Sequence, residues 1–272
     1  MLKVLAEKRP LIGLTIAGFD PSGGAGVLAD VKTFAAHGVY AEACPTLLTV
    51  QSTMGVMRAE VCDPAWVAET LACLVADNSF DVIKIGALGD AAVARVVGQF
   101  LEQHPAVPVV LDPVMVSSSG ASLLDDAGRE FLREKLLPLA TWVTPNLAEL
   151  AILTGRSVLT TEEVENATQL VQLTKLKIIL FVTGGHLKQP HDYLILPGET
   201  EGRWVEGNRV ESRATHGTGC TLSSAIAARL AKYPEEGPER TVVEAKRYVE
   251  GAIRGAAAIG RGAGPMNHFW QR

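Results

Sequence analysis

The sequence predicts an α/β protein in which helices cover both faces of a mostly parallel central sheet. Short apolar runs rich in β-branched residues alternate with longer stretches of helical period, a pattern typical of parallel strands joined by helices. Two further β-like segments, joined by a Gly-rich turn within 191–212, predict a small antiparallel element at one edge of the sheet. No internal repeat, low-complexity tract or linker divides the 272 residues, so we expect a single domain over 1–272.

The apolar runs define the predicted strands, and the periodic stretches define the predicted helices. Buried parallel strands are short continuous runs of Val, Ile and Leu, whereas helices repeat their apolar residues about every 3.6 positions. The predicted strands lie at 11–17, 81–86, 107–112, 141–144 and 177–183. The predicted helices lie at 24–37, 64–76, 90–103, 125–136, 146–154, 161–174, 218–231 and 241–259.

Composition and charge argue against several classes of protein. The formal net charge of −5 leaves no basic surplus that could release counterions from a nucleic acid. The 4 cysteines show no C-x-x-C pair and no metal-ligand spacing, which disfavours a disulfide framework or a zinc site. No uncharged stretch approaches the roughly 20 residues needed to span a bilayer. We expect a soluble cytoplasmic protein with reduced thiols, no nucleic-acid partner and no membrane partner.

Polar and glycine-rich clusters follow the predicted strands. They read GFDPSGGAG after the first strand, then GALGD, DPVMVSSSG, TPNLAE and TGGH after the following four. Ligands of open α/β sheets bind outside the carboxyl ends of the strands. The clusters therefore predict one active site at that edge of the sheet.

The stretch GGAGVLA, between the first strand and the first helix, has more than one interpretation. It fits the looser dinucleotide fingerprint G-x-G-x-x-A, with Glu42 at about the right distance for a ribose contact. Against this, Asp20 precedes the glycines, and a carboxylate would repel a pyrophosphate. An ordinary strand-to-helix turn is the simpler alternative. The sequence contains no G-x-x-x-x-G-K-[ST], which disfavours a P-loop nucleotidase.

Asp30 is a carboxylate on the apolar side of the first predicted helix. It falls in the same turn as Val27 and Phe34 rather than on the solvated face, so it needs a partner. That partner is either a nearby group of the protein, such as Lys32 or a backbone amide, or a polar ligand.

Two helix starts carry candidate binding groups. THGTGC, before the helix at 218–231, places several free backbone N–H groups at the positive end of a helix dipole, which suits a phosphate. A glycine-rich cap without a ligand is the alternative. In TPNLAEL, Asn146 and Glu149 share a helix face and could reach a hydrated Mg²⁺. The same two residues could simply form an N-terminal capping pair.

Taken together, these stretches closely resemble the hydroxymethylpyrimidine and phosphomethylpyrimidine kinases of thiamine biosynthesis, which have the ribokinase-like fold. The resemblance covers almost the whole chain and rests on TIAGFDPSGGAGVLADVKTF, TVQSTMGV, IKIGALG, LDPVMVSSSG, VTPNLAEL, VTGGH, THGTGCTLSSAIAA and GRGAGPMNHF. It implies a three-layer α/β/α sandwich. It also implies transfer of the γ-phosphoryl group of Mg·ATP to 4-amino-5-hydroxymethyl-2-methylpyrimidine and then to its monophosphate, by a homodimer.

The resemblance also assigns residues to roles in this reaction. The pyrimidine pocket would comprise Asp30, Gln51, Gly18, Phe19, Ala87 and Val114. ATP and its phosphates would be held by Asn146, Thr183, Gly185 and Thr218, and Mg²⁺ by Asp112 and Glu149. Gly217, Gly219 and Cys220 would form the catalytic anion hole. Gln51 can both donate and accept a hydrogen bond, as a ring nitrogen and its amino neighbour require.

Cys220 stands where most ribokinase-like sugar kinases carry an aspartate base, and cysteine is the pattern of the resembled family. A helix N-terminus lowers the pKa of a thiol toward neutrality, so we expect Cys220 to be able to act as a base. In addition, a loose phosphoryl-transfer transition state gains little from removal of the proton of the attacking hydroxyl group by a base.

Three positions depart from the family pattern. Phe19 replaces a small residue and Ala87 replaces a methionine, which together could be one compensated change of pocket shape. Thr183 replaces a lysine and so removes a cation from the phosphate side. The alternatives to a pyrimidine kinase are a pyridoxal or pyridoxine kinase on the same scaffold, for which Gln51 is less suited, and a catalytically weak sensor of the pyrimidine.

Overall fold

The computed structural model describes residues 9–117, 120–173, 177–185, 187 and 189–271. Within these ranges one sheet of nine strands runs in the order β3-β2-β1-β4-β5-β6-β7-β8-β9. The strands are β1 (Ile12–Phe19), β2 (Tyr40–Ser52), β3 (Gly55–Val61), β4 (Val82–Ile85), β5 (Val109–Leu111), β6 (Trp142–Val143), β7 (Ile179–Val182), β8 (Asp192–Ile195) and β9 (Arg203–Val205). Six neighbouring strands, from β2 through β1 and β4 to β7, pair in parallel, and β3, β8 and β9 pair antiparallel at the two edges. The predicted sheet with an antiparallel edge element is confirmed.

The predicted helices are present, with one notable difference in length. They are α1 (Gly26–Ala36), α2 (Pro64–Asp77), α3 (Ala91–Glu102), α4 (Asp126–Phe131), α5 (Leu147–Thr154), α6 (Thr161–Leu173), α7 (Thr218–Lys232) and α8 (Pro238–Arg254). A π-helical turn, Leu132–Leu136, and a 3₁₀ turn, Leu137–Leu139, continue α4.

Helix α8 ends at Arg254, although the sequence predicts a helix to residue 259. Gly255 is its C-cap, and the chain then folds back so that the N–H of Asn267 donates to the carbonyl of Ala252 at 3.0 Å. A Cβ atom at Gly251 would lie 2.2 Å from the Trp270 ring. The returning C-terminal segment therefore packs directly against the last turns of α8 and ends the helix there.

Strands β2 and β3 are absent from the sequence-derived scheme. β2 pairs in parallel with β1, and β3 folds back on β2 as an antiparallel hairpin at the sheet edge. β2 contains Pro45, and its carboxyl half alternates between exposed and half-buried residues, so it lacks the continuous apolar run of a central strand. Gln51 lies near the end of this strand, which brings it to the same edge as the other predicted site residues.

Two apolar clusters occupy the two faces of the sheet. Adjacent strand residues alternate between them, for example Val82 with Ile83 and Val110 with Leu111. One cluster packs the sheet against α1, α7 and α8, and the other packs it against α2 through α6. This is the three-layer α/β/α architecture of the ribokinase-like fold. None of the helices in the described ranges combines the length and apolar character of a bilayer-spanning segment.

Candidate active site

The glycine loop after β1 packs against the start of α7. Gly217 is the N-cap of α7 with φ +80°, and a Cβ atom there would lie 1.9 Å from the carbonyl oxygen of Gly24. A Cβ atom at Gly24 would in turn lie 2.3 Å from Cδ2 of His216. This approach requires glycine at both positions. The two glycine motifs therefore form one site.

The geometry does not suit a dinucleotide fingerprint. Glu42 lies opposite Leu14, near the start of β2 rather than at its carboxyl end. Its Oε1 accepts a hydrogen bond from Nδ2 of Asn78 at 2.6 Å. A ribose at the carboxyl edge of the sheet would not reach this carboxylate.

Asp30 has its partners inside the protein. Its side chain is fully buried, and Oδ2 accepts hydrogen bonds from Thr15 at 2.6 Å and from Nζ of Lys84 at 3.0 Å. Its Oδ1 accepts from Ser224 at 2.7 Å. Of the partners weighed from the sequence, Lys32 is wrong: it donates to the carbonyl of Gly23 at 2.7 Å, and a lysine of β4 pairs with Asp30 instead.

Lys84 is a fully buried cation beneath the site. Burial by itself would lower the pKa of its ammonium, but the charge of Asp30, its hydrogen bond from Nζ and the charge of Asp112 raise that pKa above its ordinary value. The sequence signal for this residue is the charged side chain inside the apolar run DVIKIG. Lys84 thus supplies positive charge under the start of α7.

Asp112 follows β5 and lies under the first turn of α7. Its Oδ2 accepts a hydrogen bond from Ser223 at 3.1 Å, and a Cβ atom at Gly219 would lie 3.9 Å from the same oxygen. Burial raises the pKa of Asp112 to about 6, with Lys84 opposing and Asp30 adding to this shift. This carboxyl group therefore titrates close to neutral pH.

Asn146 and Glu149 form the capping pair that the sequence offered as one alternative. Oδ1 of Asn146 accepts from the N–H of Glu149 at 3.0 Å, and Oε2 of Glu149 accepts from the N–H of Asn146 at 2.9 Å. Burial, followed by the charge of Asp112, raises the pKa of Glu149 well above its ordinary value. The cap therefore also holds a second buried carboxyl group close to Asp112.

The structure corrects the expectation of an acidic Cys220. Burial raises the pKa of its thiol to about 12, and the carboxylates of Asp112 and Asp30 add to that shift. Lys84 and a hydrogen bond from the N–H of Gly26 oppose it without overcoming it. Burial, more than the two nearby carboxylates, outweighs the helix dipole. In the free protein Cys220 is a thiol at neutral pH rather than a thiolate base.

The loop after β7 places Thr183 beside the start of α5. The N–H of Thr183 donates to the carbonyl of Pro145 at 2.9 Å, and Thr183 forms an isolated bridge with Asn146. Gly185 has no heavy atom within 4 Å of its Cβ position, so this part of the loop has open space. Arg209 donates to the carbonyls of Gly185 and Leu187, at 3.4 Å and 3.0 Å. His186, in the TGGH motif, lies outside the described residues.

The remaining predicted pocket residues lie at the ends of neighbouring strands. Gly18 is buried against Leu47, and Phe19 is half-buried and pairs with Leu48 of β2. Ala87 is 8 % exposed, and its carbonyl accepts a hydrogen bond from Thr46. The N–H of Val114 donates to the carbonyl of Asp112 at 2.8 Å. All of these residues lie at the carboxyl ends of strands or in the loops that follow them.

Two further polar groups of the site, His216 and Thr144, were not singled out from the sequence. His216 bridges to Asp20, at 2.7 Å, and to the side-chain amide of Gln51, at 3.1 Å. Thr144, which follows β6, has a buried hydroxyl without a hydrogen-bond partner in the described structure. Such a group next to Asn146 is suited to a ligand. The available signals were the histidine of THGTGC and the threonine of VTPN.

We expect the substitution Cys220→Ser to lower kcat less than tenfold. Serine preserves the backbone N–H groups of α7, which the sequence predicts to stabilise the transferred phosphoryl group, and a protonated thiol contributes no base to lose. Steady-state kinetics across pH 6–9 would check this. A decrease of about 10²-fold or more, together with loss of a limb of the pH profile, would instead assign the base to Cys220.

The fold and the site together define a phosphotransferase of the ribokinase-like class. The features that support this class are the glycine motif at the start of α7, the buried carboxyl groups at the carboxyl ends of β5 and β6, and the loop after β7. The chain belongs to the phosphomethylpyrimidine kinase family, whose family model matches residues 20–267.

Individual relatives agree with this assignment. The hydroxymethylpyrimidine/phosphomethylpyrimidine kinase of Rhizobium meliloti is 42 % identical over 264 residues, which cover 95 % of this chain and 97 % of that protein. Among solved structures, the phosphomethylpyrimidine kinase of Clostridium difficile 630 matches with a TM-score of 0.77 and 31 % identity, over 89 % of this chain and 99 % of that one.

The same scaffold also serves pyridoxal kinases. The ADP complex of Bacillus subtilis pyridoxal kinase matches with a TM-score of 0.84 and 28 % identity, over 96 % of this chain and 98 % of that one. The overall fold therefore does not discriminate between the two substrates. That distinction depends on side chains in the pocket.

Proposed function

We propose that this protein transfers the γ-phosphoryl group of ATP to 4-amino-5-hydroxymethyl-2-methylpyrimidine and then to the resulting monophosphate. The observation that supports this best is the position of Gln51 beside the glycine motif of α7. An amide that donates and accepts side by side matches a ring nitrogen with a neighbouring amino group. The matching kinase of Rhizobium meliloti is named for hydroxymethylpyrimidine, and the 4-amino compound that we propose as substrate has this edge.

In the proposed reaction, the residues of this chain have separate roles. The backbone N–H groups of Gly217, Thr218, Gly219 and Cys220 stabilise the charge on the transferred phosphoryl group. The buried ammonium of Lys84 adds positive charge beneath them. The thiol of Cys220 lies beside Asp112 and lowers the pKa of that carboxyl group. The hydroxymethyl group of the pyrimidine attacks from the Gln51 side.

Asp112 and Glu149 are suited to a hydrated Mg²⁺ ion. Both carboxyl groups are buried, and each has a raised pKa. The charge of Asp112 contributes to the raised pKa of Glu149, and a divalent cation would relieve the repulsion between the two groups. No three potential metal-ligating His, Cys, Asp or Glu side chains converge among the described residues. Magnesium ions of kinases use one or two carboxylates together with water and phosphate oxygens, so two carboxyl groups fit this chemistry. The bound ion would supply charge to the ATP phosphates.

Product mass is the direct test of the proposed reaction. The protein is incubated with Mg·ATP and the hydroxymethylpyrimidine, its monophosphate, or pyridoxal, and the products are analysed by mass spectrometry. We expect one phosphoryl group on the first substrate and a second on its monophosphate. Turnover of pyridoxal alone would make this protein a pyridoxal kinase, and binding without turnover would make it a sensor.

We expect Gln51→Ala to raise KM for the pyrimidine by about 10–100-fold and to leave KM for ATP within about twofold. Truncating the amide leaves the hydrogen-bonding edge of the bound ring without its partner, at a cost of about 1–3 kcal/mol. Steady-state kinetics with each substrate varied in turn would measure this. An unchanged KM for the pyrimidine would remove Gln51 from the pocket.

Phe19 and Ala87 are proposed to shape the same pocket. Overpacking one side of a pocket typically costs about 1–3 kcal/mol, whereas a volume-conserving exchange is tolerated. Ala87→Met alone should therefore weaken binding, and adding Phe19→Ser should restore it. Additive effects would show that the two residues act independently.

We further propose that the protein is a cytoplasmic homodimer. The hairpin of β2 and β3 exposes Leu48, Val50, Met54 and Met57 along one edge of the sheet, with Met57 85 % exposed. A second copy covering this edge would bury these side chains. All four cysteines are free, as suits a reducing compartment. Sedimentation equilibrium would test for a mass of two chains.

A further inference from the structure

The side-chain amide of Gln51 can adopt two orientations that differ in which end is nitrogen. The two orientations have nearly the same shape, so hydrogen-bonding neighbours decide between them. One end of the amide lies 3.1 Å from Nε2 of His216, and the other lies 3.1 Å from Oγ1 of Thr49. Whether His216 and Thr49 each donate or accept a hydrogen therefore shows which end of the amide is oxygen and which is nitrogen.

At the His216 end, the amide must present its oxygen. Nε2 of His216 lies 2.7 Å from Oδ2 of Asp20, and the two residues are only 8 % and 3 % exposed. Burial raises the pKa of Asp20, but hydrogen bonds from His216 and Ser22 outweigh it and hold the pKa below its ordinary value. The carboxylate only accepts, so Nε2 carries a hydrogen. An amide nitrogen here would set one N–H donor against another, whereas an amide oxygen accepts the hydrogen of Nε2, which it shares with Asp20.

At the Thr49 end, the amide must present its nitrogen. Oγ1 of Thr49 donates to the carbonyl of Phe19 at 3.0 Å. A hydroxyl has a single hydrogen, so toward Gln51 it can only accept. The two ends therefore require the same orientation independently. We therefore assign the oxygen of Gln51 to the His216 end and its nitrogen to the Thr49 end, which exchanges the positions of Nε2 and Oε1 and leaves both 3.1 Å contacts in place.

We propose that Asp20 and His216 are positioning residues that fix the polarity of the Gln51 amide and thereby select an aminopyrimidine over its oxo analogue. This inference rests on the proposed function. Asp20 anchors this arrangement because it also accepts from the N–H groups of Ser22 and Ala25, both at 2.9 Å. The glycine loop and the recognition of the ring are thus coupled through one carboxylate.

The fixed polarity matches the edge of the aminopyrimidine. The 4-amino group is attached next to the carbon that bears the hydroxymethyl arm, and ring N3 lies one atom farther away. The hydroxymethyl arm must point to the start of α7, which follows His216 by two residues. The amino group then donates to the Gln51 oxygen on the His216 side. Ring N3 accepts from the nitrogen on the Thr49 side.

The 4-oxo analogue presents the reverse pattern. Its carbonyl replaces the amino group, and N3 carries a hydrogen. Binding it would require the opposite amide orientation, with a nitrogen against the N–H of His216. A site built around a fixed donor and acceptor rejects such a ligand strongly, because buried polar groups lose their partners.

The test compares the dissociation constants of the two pyrimidines by calorimetry without ATP. The wild type should prefer the amino compound by about 100-fold or more. In Asp20→Asn, the carboxamide nitrogen can replace Oδ2 and donate to Nε2 of His216, at the cost of the hydrogen bond from the N–H of Ala25. The ring hydrogen then moves to Nδ1, and the Gln51 amide can reverse. We expect the preference to fall at least tenfold in this variant. If Asp20 had only a structural role, Asp20→Asn would weaken the binding of both pyrimidines equally and leave the ratio of their dissociation constants unchanged.

Two further variants complete the experiment. Thr49→Val removes the acceptor at the other end of the amide with little change in shape, and should also lower the preference if Asp20→Asn fails to fold. Ser52→Ala removes a hydroxyl of the same strand that accepts a local hydrogen bond from the N–H of Met54 at 3.2 Å, and this variant should preserve the preference. An unchanged ratio in both Asp20→Asn and Thr49→Val, with the amino compound still bound, overturns the inference alone. Absence of binding to the wild type overturns the proposed function and the inference with it.

Discussion

Replacing Lys84 with methionine is expected to lower the free energy of unfolding by about 3–5 kcal/mol. Lys84 and Asp30 form an ion pair of 3.0 Å in which neither side chain is exposed. Methionine fills a similar volume but leaves the carboxylate of Asp30 buried without its cation. Urea denaturation followed by circular dichroism would measure the change.

An exposed ion pair provides a matched control for this substitution. Arg58 and Glu60 on β3 approach to 3.7 Å, and both side chains are 72 % exposed. Arg58→Met should change the free energy of unfolding by less than about 1 kcal/mol, because solvent already screens this pair. If Lys84→Met had an equally small effect, burial of the Lys84 pair would not matter to stability. Adding Asp30→Asn to Lys84→Met should recover part of the loss.

Replacing Asp112 with asparagine is expected to lower kcat by about 10²–10³-fold at saturating Mg·ATP. The substitution removes a buried negative charge from the place where we propose the metal and phosphates meet, a loss similar to that of one group stabilising a transition state. The dependence on Mg²⁺ concentration should weaken as well. Asp90→Asn is the control, since Asp90 is the N-cap of α3 and asparagine caps a helix equally well. Equal kcat values for Asp112→Asn and Asp90→Asn would show that Asp112 has only a structural role.

The raised pKa of Asp112 predicts two pH effects. The wild-type kcat/KM should fall as the pH drops through about 6, because the free enzyme then gains a proton on this group, and Asp112→Asn should lack that limb.

The free energy of unfolding should change with pH in the opposite direction to kcat/KM. The folded pKa of about 6 exceeds the unfolded value of about 3.9, so the folded state binds more protons in this window. Without metal, the free energy of unfolding should therefore decrease as the pH rises from about 4 to about 6, and Mg²⁺ should stabilise the protein more at pH 7.5 than at pH 5.

The central strands and most helices could be predicted because their signals are local. The runs at 81–86 and 177–183 are apolar on both sides, and the corresponding strands β4 and β7 are largely buried on both faces of the sheet. Strands β2 and β3, the two outermost strands on one side of the sheet, lack this signal because much of β2 and all of β3 is exposed or half-buried. The position of β2 depends on its pairing with β1, which is a contact between distant parts of the chain, and β3 in turn pairs with β2.

The sequence by itself determined the class of fold, the edge of the sheet that carries the site, and the family. Each depends on residue types in order along the chain, since glycines before a helix or a carboxylate after a strand predict the same local geometry wherever they occur. The partners of the charged groups could not be read in this way. Lys84 lies 54 positions from Asp30, and His216 lies 196 positions from Asp20.

Only the tertiary structure decided the electrostatics of the site. The sequence predicted an acidic Cys220 from its helix N-terminus, yet burial beside Asp112 and Asp30 raises the pKa of the thiol to about 12. A pKa is a sum over burial and all nearby charges, and those charges come from different strands and helices. Sequence order names the groups in a site, whereas only their distances and burial determine which of them are charged and which hydrogen bonds they can make.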